Sequence, residues 1–491
     1  MAPWWEGAVL YQIYPRSFQD SNGDGIGDLA GIVRRLDHLA WLGVDALWLN
    51  PTYPSADADW GYDVVDYTDV HPDLGTLTDL DRLIAEASAR GIRILLDLVP
   101  GHTSDRHPWF RTRRDWYTWV AGAESPNDWL CGSAASAWTH DPTCGRSYLH
   151  TFRPEQPDLN WWSEEVREEF DRILAYWFAR GVAGFRIDAA ARVVKSRDLA
   201  APAAGPWLRP PPDLAEVHAV LRRWRNVAER YGDRLLLGQT WIEDAGGLSA
   251  FFGENDELHI VHPFALSVSQ LYALVLHEIV GSVEASLQGR GSAAWQASSH
   301  DVIRFPTRWG AGDERRTRAA LMLLLGLRGT VILYYGDEIG MSQTNVPARR
   351  ARDHWGRDGC RTPMQWADVP GGGFTDPDVE PWLPLGDLRV NVESQRDDPA
   401  STLSLCRDLI ALRRQLPELA TGCYEPIKAP PGVWACRRGE RVVVVANLSG
   451  AATRLTGVEG TVRLATERAR DGEIVKGALR LEPWEAVVVA D

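Results

Sequence analysis

The sequence predicts an α/β fold: a closed (β/α)8 barrel, or TIM barrel, with two smaller additions. Eight short apolar runs recur at 9–13, 46–49, 92–97, 182–188, 235–239, 258–261, 295–300 and 330–335. Between these runs, apolar residues recur at helical spacing, as in Leu29, Ile32, Leu36 and Leu39. Eight strands alternating with helices are typical of this barrel.

The two additions lie in the middle and at the end of the chain. The gap at 100–163 is rich in Trp, Gly and Pro and has little periodicity, which predicts an inserted, loop-rich domain after strand three. After a helix at 403–416, valine-rich runs separated by Gly and Asp predict an antiparallel C-terminal β-domain. The predicted domains are therefore the barrel (1–99 and 164–417), the insertion (100–163) and the C-terminal domain (418–491). The proline-rich stretch 200–213 predicts a semi-rigid loop, a candidate pocket wall.

Composition excludes several classes of function. The net charge is −15 over 491 residues, which argues against a nucleic-acid partner. No apolar run reaches membrane-spanning length, and the N-terminal segment lacks a signal peptide's features, so we expect a cytoplasmic protein with no membrane partner. Six scattered cysteines favour free thiols, although Cys131 and Cys144 could pair. The 23 tryptophans are weak support for a carbohydrate ligand, because most tryptophans simply fill cores.

Polar residues follow several of the predicted barrel strands. They are Asp97 with His102, Arg186 with Asp188, Gln239, and His300 with Asp301. An Asp after a strand is commonly a turn residue or a helix cap. Barrel enzymes, however, place their chemistry at the C-terminal ends of the strands, and paired acids suit glycoside hydrolysis.

Four segments resemble the α-amylase family (glycoside hydrolase family 13), in its branch of oligo-1,6-glucosidases and α-glucosidases. They are 97–105 (DLVPGHTSD), 184–188 (GFRID), 238–241 (GQTW) and 299–301 (SHD). Segments 156–160 and 335–341 also match, and order and spacing agree over about residues 5–415. The resemblance implies a retaining α-glucosidase with a covalent glucosyl intermediate and a small α-glucoside or oligosaccharide as substrate.

The resemblance also implies roles for the residues at the strand ends. Asp188 is the implied nucleophile, and Arg186 would keep it ionised and aimed. Asp301 would bind the sugar's 2- and 3-hydroxyls and stabilise the transition state. His102 and His300 would be further sugar ligands, although a single histidine is more often structural.

A second set of implied roles concerns specificity. Tyr62 would stack under the sugar, and Asp59 would pair with Arg357 and bind the 4- and 6-hydroxyls of a terminal glucose. That pair predicts exo-action; the alternative is a surface ion pair worth under about 1 kcal/mol. Ala189, next to the nucleophile, weakly favours α-1,4 over α-1,6 linkages.

Position 239 departs from the family pattern, which has Glu there as acid/base. A glutamine keeps the shape of Glu but cannot deliver a proton. Our hypothesis is that the chain was altered to trap a bound sugar, because the other site residues remain. The alternatives are a transglucosidase or sucrose-type isomerase, and a non-catalytic binding or partner subunit. Gly101 and Ser299 also replace the family's usual Asn, which predicts extra room near the sugar.

A separate loop at 20–28 suits a hard cation, because oxygen-bearing residues alternate along it. By the resemblance it binds one structural Ca²⁺ (or Mg²⁺) through Asp20, Asn22, Asp24, the carbonyl of Ile26, and Asp28. The alternative is an Asx-rich turn without a metal.

Overall fold

The computed structural model describes residues 3–201, 210–240, 245–287 and 289–491. The strands are β1 Val9–Ile13, β2 Ala46–Leu49, β3 Arg93–Leu98, β4 Trp119–Ala121, β5 Trp138–Asp141, β6 Arg146–Leu149, β7 Gly184–Ile187, β8 Leu235–Thr240, β9 Ile260–Pro263, β10 Ser292–Gln296, β11 Thr330–Tyr334, β12 Tyr424–Pro426, β13 Val433–Arg438, β14 Val442–Asn447, β15 Thr453–Ala465, β16 Ile474–Leu481 and β17 Ala486–Ala490. The α-helices are α1 Leu29–Leu42, α2 Leu77–Ala89, α3 Pro108–Thr112, α4 Glu164–Ala179, α5 Leu214–Glu229, α6 Ala265–Val268, α7 Ala273–Leu287, α8 Phe305–Arg308, α9 Glu314–Leu325, α10 Val392–Arg396, α11 Thr402–Gln415 and α12 Pro417–Thr421. None of the described helices is both long and apolar enough to cross a membrane.

Eight strands close into a barrel in the order β1-β11-β10-β9-β8-β7-β3-β2, which confirms the predicted fold class. Each of the eight predicted runs overlaps one of these strands. The seventh run was predicted too late: β10 ends at Gln296, before the predicted end at 300. The hydroxyls of Ser298 and Ser299 accept the backbone N–H groups of Phe305 and Asp301, which turns the chain there.

Two further sheets lie outside the barrel. Residues of the predicted insertion form a three-stranded sheet, β4-β6-β5, around a core that includes Trp129 and Trp138. A six-stranded antiparallel sheet, β12-β13-β14-β17-β15-β16, confirms the C-terminal β-domain. The domain boundaries given above stay a prediction. Among the tryptophans that the structure describes, seven are fully buried, so packing accounts for these.

The chain forms two compact units. The first unit comprises Met1–Trp48, Arg82–Arg93 and Pro263–Asp491, and it includes β1, β10, β11 and the C-terminal sheet. The second unit comprises Leu49–Asp81 and Ile94–His262, and it includes β7, β8 and the three-stranded sheet. All six cysteines are free thiols.

Within the first unit, a buried arginine ties α11 to the turn before β11. Arg413 donates hydrogen bonds to the carbonyls of Leu325, Leu327 and Gly329. Its side chain is 3% exposed, and burial lowers its pKa to about 9. These carbonyls lie in the turn that leads into β11, so one cation satisfies the backbone acceptors of that turn.

Replacing Arg413 by Met should lower the free energy of unfolding by at least about 3 kcal/mol, because several buried carbonyls lose a charged donor. Urea unfolding followed by circular dichroism measures the loss. Arg414→Met is the matched control: its side chain is half exposed, with a 2.8 Å ion pair to Asp45. That variant should lose no more than about 1 kcal/mol. Equal losses in the two variants would contradict a structural role for Arg413.

Candidate active site

One buried guanidinium organises the site in the second unit. Arg186 lies in the middle of β7 and is 1% exposed. Its Nη1 lies 2.8 Å from Oδ1 of Asp97 on β3 and 2.8 Å from Oδ1 of Asp188. Its Nη2 donates to Oε1 of Gln239 on β8 in a short hydrogen bond. Successive strand residues face opposite sides, so Arg186 and Asp188, two apart, meet on one side.

The spacing between β7 and β8 depends on Gly184. A Cβ added at this position would lie 2.4 Å from the carbonyl oxygen of Leu235, closer than real contacts allow. The absent side chain lets the two strands pair with Gly184 opposite Leu235 and Ile187 opposite Gly238. That register places Asp188 and Gln239 just beyond the last paired residues.

Arg186 and its two acidic partners, Asp97 and Asp188, differ in how burial and neighbouring charges affect them. Burial alone would lower the pKa of Arg186, but Asp97 and Asp188 raise it above its usual value, so the side chain is a permanent cation. Burial raises the pKa of Asp97 to about 7, against the lowering effect of Arg186. Asp97 is fully buried and also accepts a 2.8 Å hydrogen bond from the hydroxyl of Tyr62. Asp188 is 15% exposed, so it is the carboxylate of this group that solutes can reach.

The residue after Asp188 has an unusual backbone conformation. Ala189 has φ +44°, in the left-handed region that non-glycine residues seldom adopt. In this conformation its N–H lies 3.4 Å from Oε1 of Gln239. Strain of this kind concentrates at functional sites.

The side chain of Gln156 joins two of the predicted sugar ligands, Asp59 and His102. Its Nε2 donates to Oδ2 of Asp59 at 3.1 Å and lies 3.0 Å from Nε2 of His102. Nε2 of His102 is also 2.9 Å from the carbonyl of Tyr62. Burial lowers the pKa of His102, so the ring is neutral. Its Nδ1 has no hydrogen-bond partner among the described residues.

The first unit holds a second group of predicted site residues around Asp301. Oδ1 of Asp301 lies 2.9 Å from Arg357 and 3.4 Å from Arg361, and its Oδ2 lies 3.2 Å from Nε2 of His300. Asp353 pairs with both arginines, at 2.6 and 3.5 Å. Two arginines and His300 thus hold the Asp301 side chain, which remains 29% exposed.

The proton of His300 is assigned by a chain of buried amides. Gln296 Nε2 donates to Gln12 Oε1 at 2.6 Å, so the Gln12 amide nitrogen faces the histidine. That nitrogen lies 2.8 Å from Nδ1 of His300, which must accept. The neutral ring therefore carries its hydrogen on Nε2 and donates it to Asp301.

Other groups lie close to the two smaller departures from the family pattern, Gly101 and Ser299. A Cβ added at Gly101 would lie 3.6 Å from Nζ of Lys195, which donates to the Gly101 carbonyl at 3.2 Å and pairs with Asp158. The ammonium thus lies at ordinary contact distance from this position, and the expectation of extra room near the sugar stays a prediction. Ser299 caps the N–H of Asp301 at 3.1 Å, a bond within reach of its short side chain.

Sequence reasoning gave no role to several residues that the structure brings into these groups: Gln12, Gln156, Lys195, Gln296, Asp353 and Arg361. Most of their partners lie far away along the chain, as in the pair of Gln12 and His300, 288 positions apart, although Asp353 pairs with the nearby Arg357. The predicted pairing of Arg357 with Asp59 would join the two units and stays a prediction. Trp241 of the GQTW motif and residues 202–209 of the proline-rich loop lie outside the described residues.

The predicted cation loop is held by its own backbone. Oxygens of Asp20 accept the N–H groups of Asn22, Gly23 and Gly25, and Asp24 accepts that of Ile26. Asp28 caps α1. Three carboxylates, an amide oxygen and a carbonyl are donors that fit a hard cation. The three carboxylates of the loop, however, do not all lie within 4.8 Å of one another. Within the described ranges, one group of three His, Cys, Asp or Glu side chains meets that distance, and it consists of Asp57, His71 and Asp73. A cation would therefore have to draw the loop's carboxylates together.

Comparison with known proteins places the chain in a family. Residues 12–422 match the family described as "Alpha amylase, catalytic domain". The chain belongs to the α-amylase family. It is a glycoside hydrolase of family 13, as the sequence motifs predicted.

Relatives within the α-amylase family cover nearly the whole chain. A probable α-glucosidase of Rhizobium meliloti is 37% identical over 91% of this chain and 89% of its own length. An oligo-1,6-glucosidase of Halalkalibacterium halodurans is 34% identical over 99% of this chain and 98% of its own. The α-glucosyl transfer enzyme XgtA has a similar crystal structure, with a TM-score of 0.93, 34% identity and coverage of 100% and 99%. The trehalulose synthase MutB of Pseudomonas mesoacidophila MX-45 has a TM-score of 0.92, 29% identity and full coverage of both chains.

The raised pKa of Asp97 predicts a pH-dependent stability. The folded state holds a proton on this carboxyl up to about pH 7, whereas the ordinary pKa is 3.8. The stabilising contribution is therefore complete below pH 3.8 and is lost as the pH rises through about 7. The free energy of unfolding of the parent, minus that of Asp97→Asn, should fall as the pH rises through that window and then level off. Urea unfolding from about pH 4 to about pH 8 measures it.

Asp66→Asn serves as the control for that experiment, because Asp66 is an exposed aspartate in the same unit that bonds only its neighbour Thr68. A pH profile for Asp97→Asn that parallels the profile of this control would refute the assignment of the proton to Asp97.

Proposed function

We propose that this fold is that of a retaining, exo-acting α-glucosidase that acts in the cytoplasm on short α-glucosides. The observation that carries the proposal is the guanidinium of Arg186, which binds the side chains at both catalytic positions, 188 and 239. Retention requires a nucleophile and an acid/base close together, about 5–5.5 Å apart. A planar fork that holds one group on each Nη atom is a simple way to fix such a pair.

Asp188 is the proposed nucleophile. Arg186 keeps it ionised, and its partial exposure lets it reach the anomeric carbon of a bound glucose. Asp97 and Tyr62 position Arg186 rather than touch the reacting atoms. Ala189 supports a weak preference for α-1,4 linkages, by the family pattern alone.

Sugar recognition is assigned to the remaining predicted residues. Asp301 and His300 would bind hydroxyls of the glucose, and Arg357 would orient Asp301 while pairing with Asp59. Neutral His102 and the ring of Tyr62 would contact the same sugar. The pair of Asp59 and Arg357, as the family pattern implies it, would favour removal of one glucosyl unit at a time.

The chain as it stands lacks the proton donor, so we propose that it binds α-glucosides but hydrolyses them slowly. A glutamate-to-glutamine mutant of MutB is known in complex with its substrate sucrose, at a TM-score of 0.92 and 30% identity. That precedent supports the hypothesis of a substrate-trapping substitution at Gln239. A non-catalytic binding subunit is the rival, and restoring the acid separates the two.

Transglucosylation or isomerisation is a second candidate reaction. It is favoured by the similarity to XgtA and to the trehalulose synthase MutB. These reactions share the glucosyl intermediate and differ in which acceptor replaces water.

Replacing Gln239 by Glu should raise turnover of unactivated α-glucosides such as maltose by roughly 10²–10⁴-fold, the usual contribution of a general acid/base. Proton NMR of the first product should show α-glucose, because the mechanism retains configuration. Asp188→Asn, combined with Gln239→Glu, is the matched control and should abolish the gain. An inert Gln239→Glu protein that still binds maltose would favour the binding subunit.

We also propose that the loop containing Asp20, Asn22, Asp24, Ile26 and Asp28 binds one Ca²⁺, with Mg²⁺ as the other candidate. Calcium at a hundred times its Kd should raise the free energy of unfolding by about 2.7 kcal/mol. Asp24→Ala should remove most of this gain, because Asp24 is an exposed ligand whose loss leaves the core intact. Asp66→Ala is the control for loss of an exposed turn aspartate. Stability that responds to neither calcium nor a chelator would refute the site.

A further inference from the structure

The loop that carries Asp59 is closed around one buried carboxyl group, that of Asp63. This side chain is fully buried. Its Oδ1 accepts hydrogen bonds from the hydroxyl of Ser55 at 2.7 Å and from the N–H of Asp59 at 2.9 Å. Its Oδ2 accepts the N–H groups of Ala56 and Ala58 at 3.1 Å each. One side chain therefore gathers the whole segment from Ser55 to Asp59.

These contacts require the ionised form of Asp63. A protonated acid carries a hydrogen of its own and cannot accept all four donors at once. Burial raises the pKa of Asp63, and the hydrogen bonds from Asp59, Ser55 and Ala58 oppose that rise. The loop thus replaces the water that would otherwise solvate the charge. An asparagine at this position would turn its two amide hydrogens toward donors and would lose those bonds.

Two residues of the same loop have backbone conformations that side chains seldom adopt. Asp57 has φ +59° and Trp60 has φ +49°, both in the left-handed region. Such conformations persist only where the surrounding structure holds them. The N–H of Asp57 donates to the hydroxyl of Ser55 at 3.0 Å, and that hydroxyl donates to Asp63. The carboxylate of Asp63 therefore helps to hold the strained backbone on the N-terminal side of Asp59.

The backbone held in this way determines where the carboxylate of Asp59 lies. Asp59 is 7% exposed, and its Oδ2 accepts a hydrogen bond from Nε2 of Gln156 at 3.1 Å. Its own N–H is one of the donors to Asp63. The side chain assigned above to sugar hydroxyls is therefore fixed from two sides, by Gln156 at its carboxylate and by Asp63 at its backbone.

We propose that Asp63 is a positioning residue for sugar specificity. It holds Asp59 where a terminal glucose presents its 4- and 6-hydroxyls, and so makes the site select α-glucosides over α-xylosides, which lack the C6 hydroxymethyl group. The inference rests on the role of Asp59 in the proposed function. It adds the residue that sets this selectivity without touching the sugar, and the class of glycoside that the site rejects.

The selectivity depends on how firmly the carboxylate of Asp59 is held. A hydrogen bond from the 6-hydroxyl to an ionised carboxylate is stronger than one between neutral groups. A xyloside buries the same carboxylate without supplying that donor, and a polar group that loses its partner on binding penalises the wrong ligand. A carboxylate that could swing away to water would escape this penalty. The hydrogen bonds to Asp63 hold the backbone of Asp59 and oppose such a movement.

Titration calorimetry with methyl α-glucoside and methyl α-xyloside measures this selectivity on the chain as it stands, without turnover. The parent should bind the glucoside roughly 10- to 100-fold more tightly, the usual contribution of a hydrogen bond to a charged group. Asp63→Asn should weaken glucoside binding by about 10-fold and xyloside binding by less than about 2-fold, because only the glucoside has the 6-hydroxyl that Asp59 binds. Asp66→Asn, which removes an exposed carboxylate of the same unit, should change neither affinity.

Ser55→Ala tests the same contact if Asp63→Asn does not fold. It removes one donor to Asp63 and the acceptor of the Asp57 N–H, at a half-buried position outside the core. The preference for the glucoside should fall by roughly 3-fold, because three of the four hydrogen bonds to Asp63 remain. Thermal unfolding followed by circular dichroism establishes which variants are folded.

Asp59→Ala separates this inference from the proposed function on which it rests. If Asp59→Ala removes the preference for the glucoside while folded Asp63→Asn or Ser55→Ala keeps it, Asp63 has no positioning role and the assignment of Asp59 stands. If the parent shows no preference, or Asp59→Ala retains it, the assignment of Asp59 is wrong and this inference is wrong with it. Equal weakening of both glycosides by Asp63→Asn would mean that Asp63 only supports the fold, which also overturns the inference.

Discussion

The buried guanidinium of Arg186 is the interaction on which the rest of the second unit depends. Burying a lone cation costs several kcal/mol, and only close carboxylates can offset that cost. Asp97 and Asp188 lie 2.8 Å away and do so, Asp97 with its full charge once it loses its proton near pH 7. They are not equivalent partners, because Asp97 is fully buried and Asp188 is partly open. The closed partner anchors the arginine, and the open one remains available for chemistry.

Residue 239 alters this charge balance. A glutamate there would place a third carboxyl group on one guanidinium, whereas Gln239 leaves two. Like charges that share a site raise one another's pKa values, so the amide removes a source of repulsion. A catalytic residue often costs stability, and its loss commonly increases it. Intact geometry around Gln239 is therefore what the physics predicts, and it does not by itself argue that the chain is active.

The barrel could be predicted from sequence because its strands are buried on both faces and appear as continuous apolar runs. Less regular elements were missed. The strand Ile474–Leu481 alternates between buried and exposed residues, and the strands of the insertion have only three or four residues. The site residues at strand ends were found through motifs. The partners that orient them were not, because Gln296, Gln12 and His300 form a chain of contacts that no local pattern reveals. Lys195 was missed for the same reason, since a cation beside Gly101 can be recognised only in the fold.

Membership of the α-amylase family fixes the scaffold and the type of bond, but not the acceptor. Its relatives and structural neighbours include glucosidases, a glucosyl transfer enzyme and a trehalulose synthase on one barrel. A Glu at the acid/base position can protonate any leaving group. In a scaffold that has this Glu, the shape of the aglycone site therefore decides which of these reactions takes place. With an amide held by Arg186 and Ala189, the proton is no longer supplied. A single isosteric change at position 239 thus removes a proton donor from the side chain while its oxygen still accepts hydrogen bonds from Arg186 and Ala189.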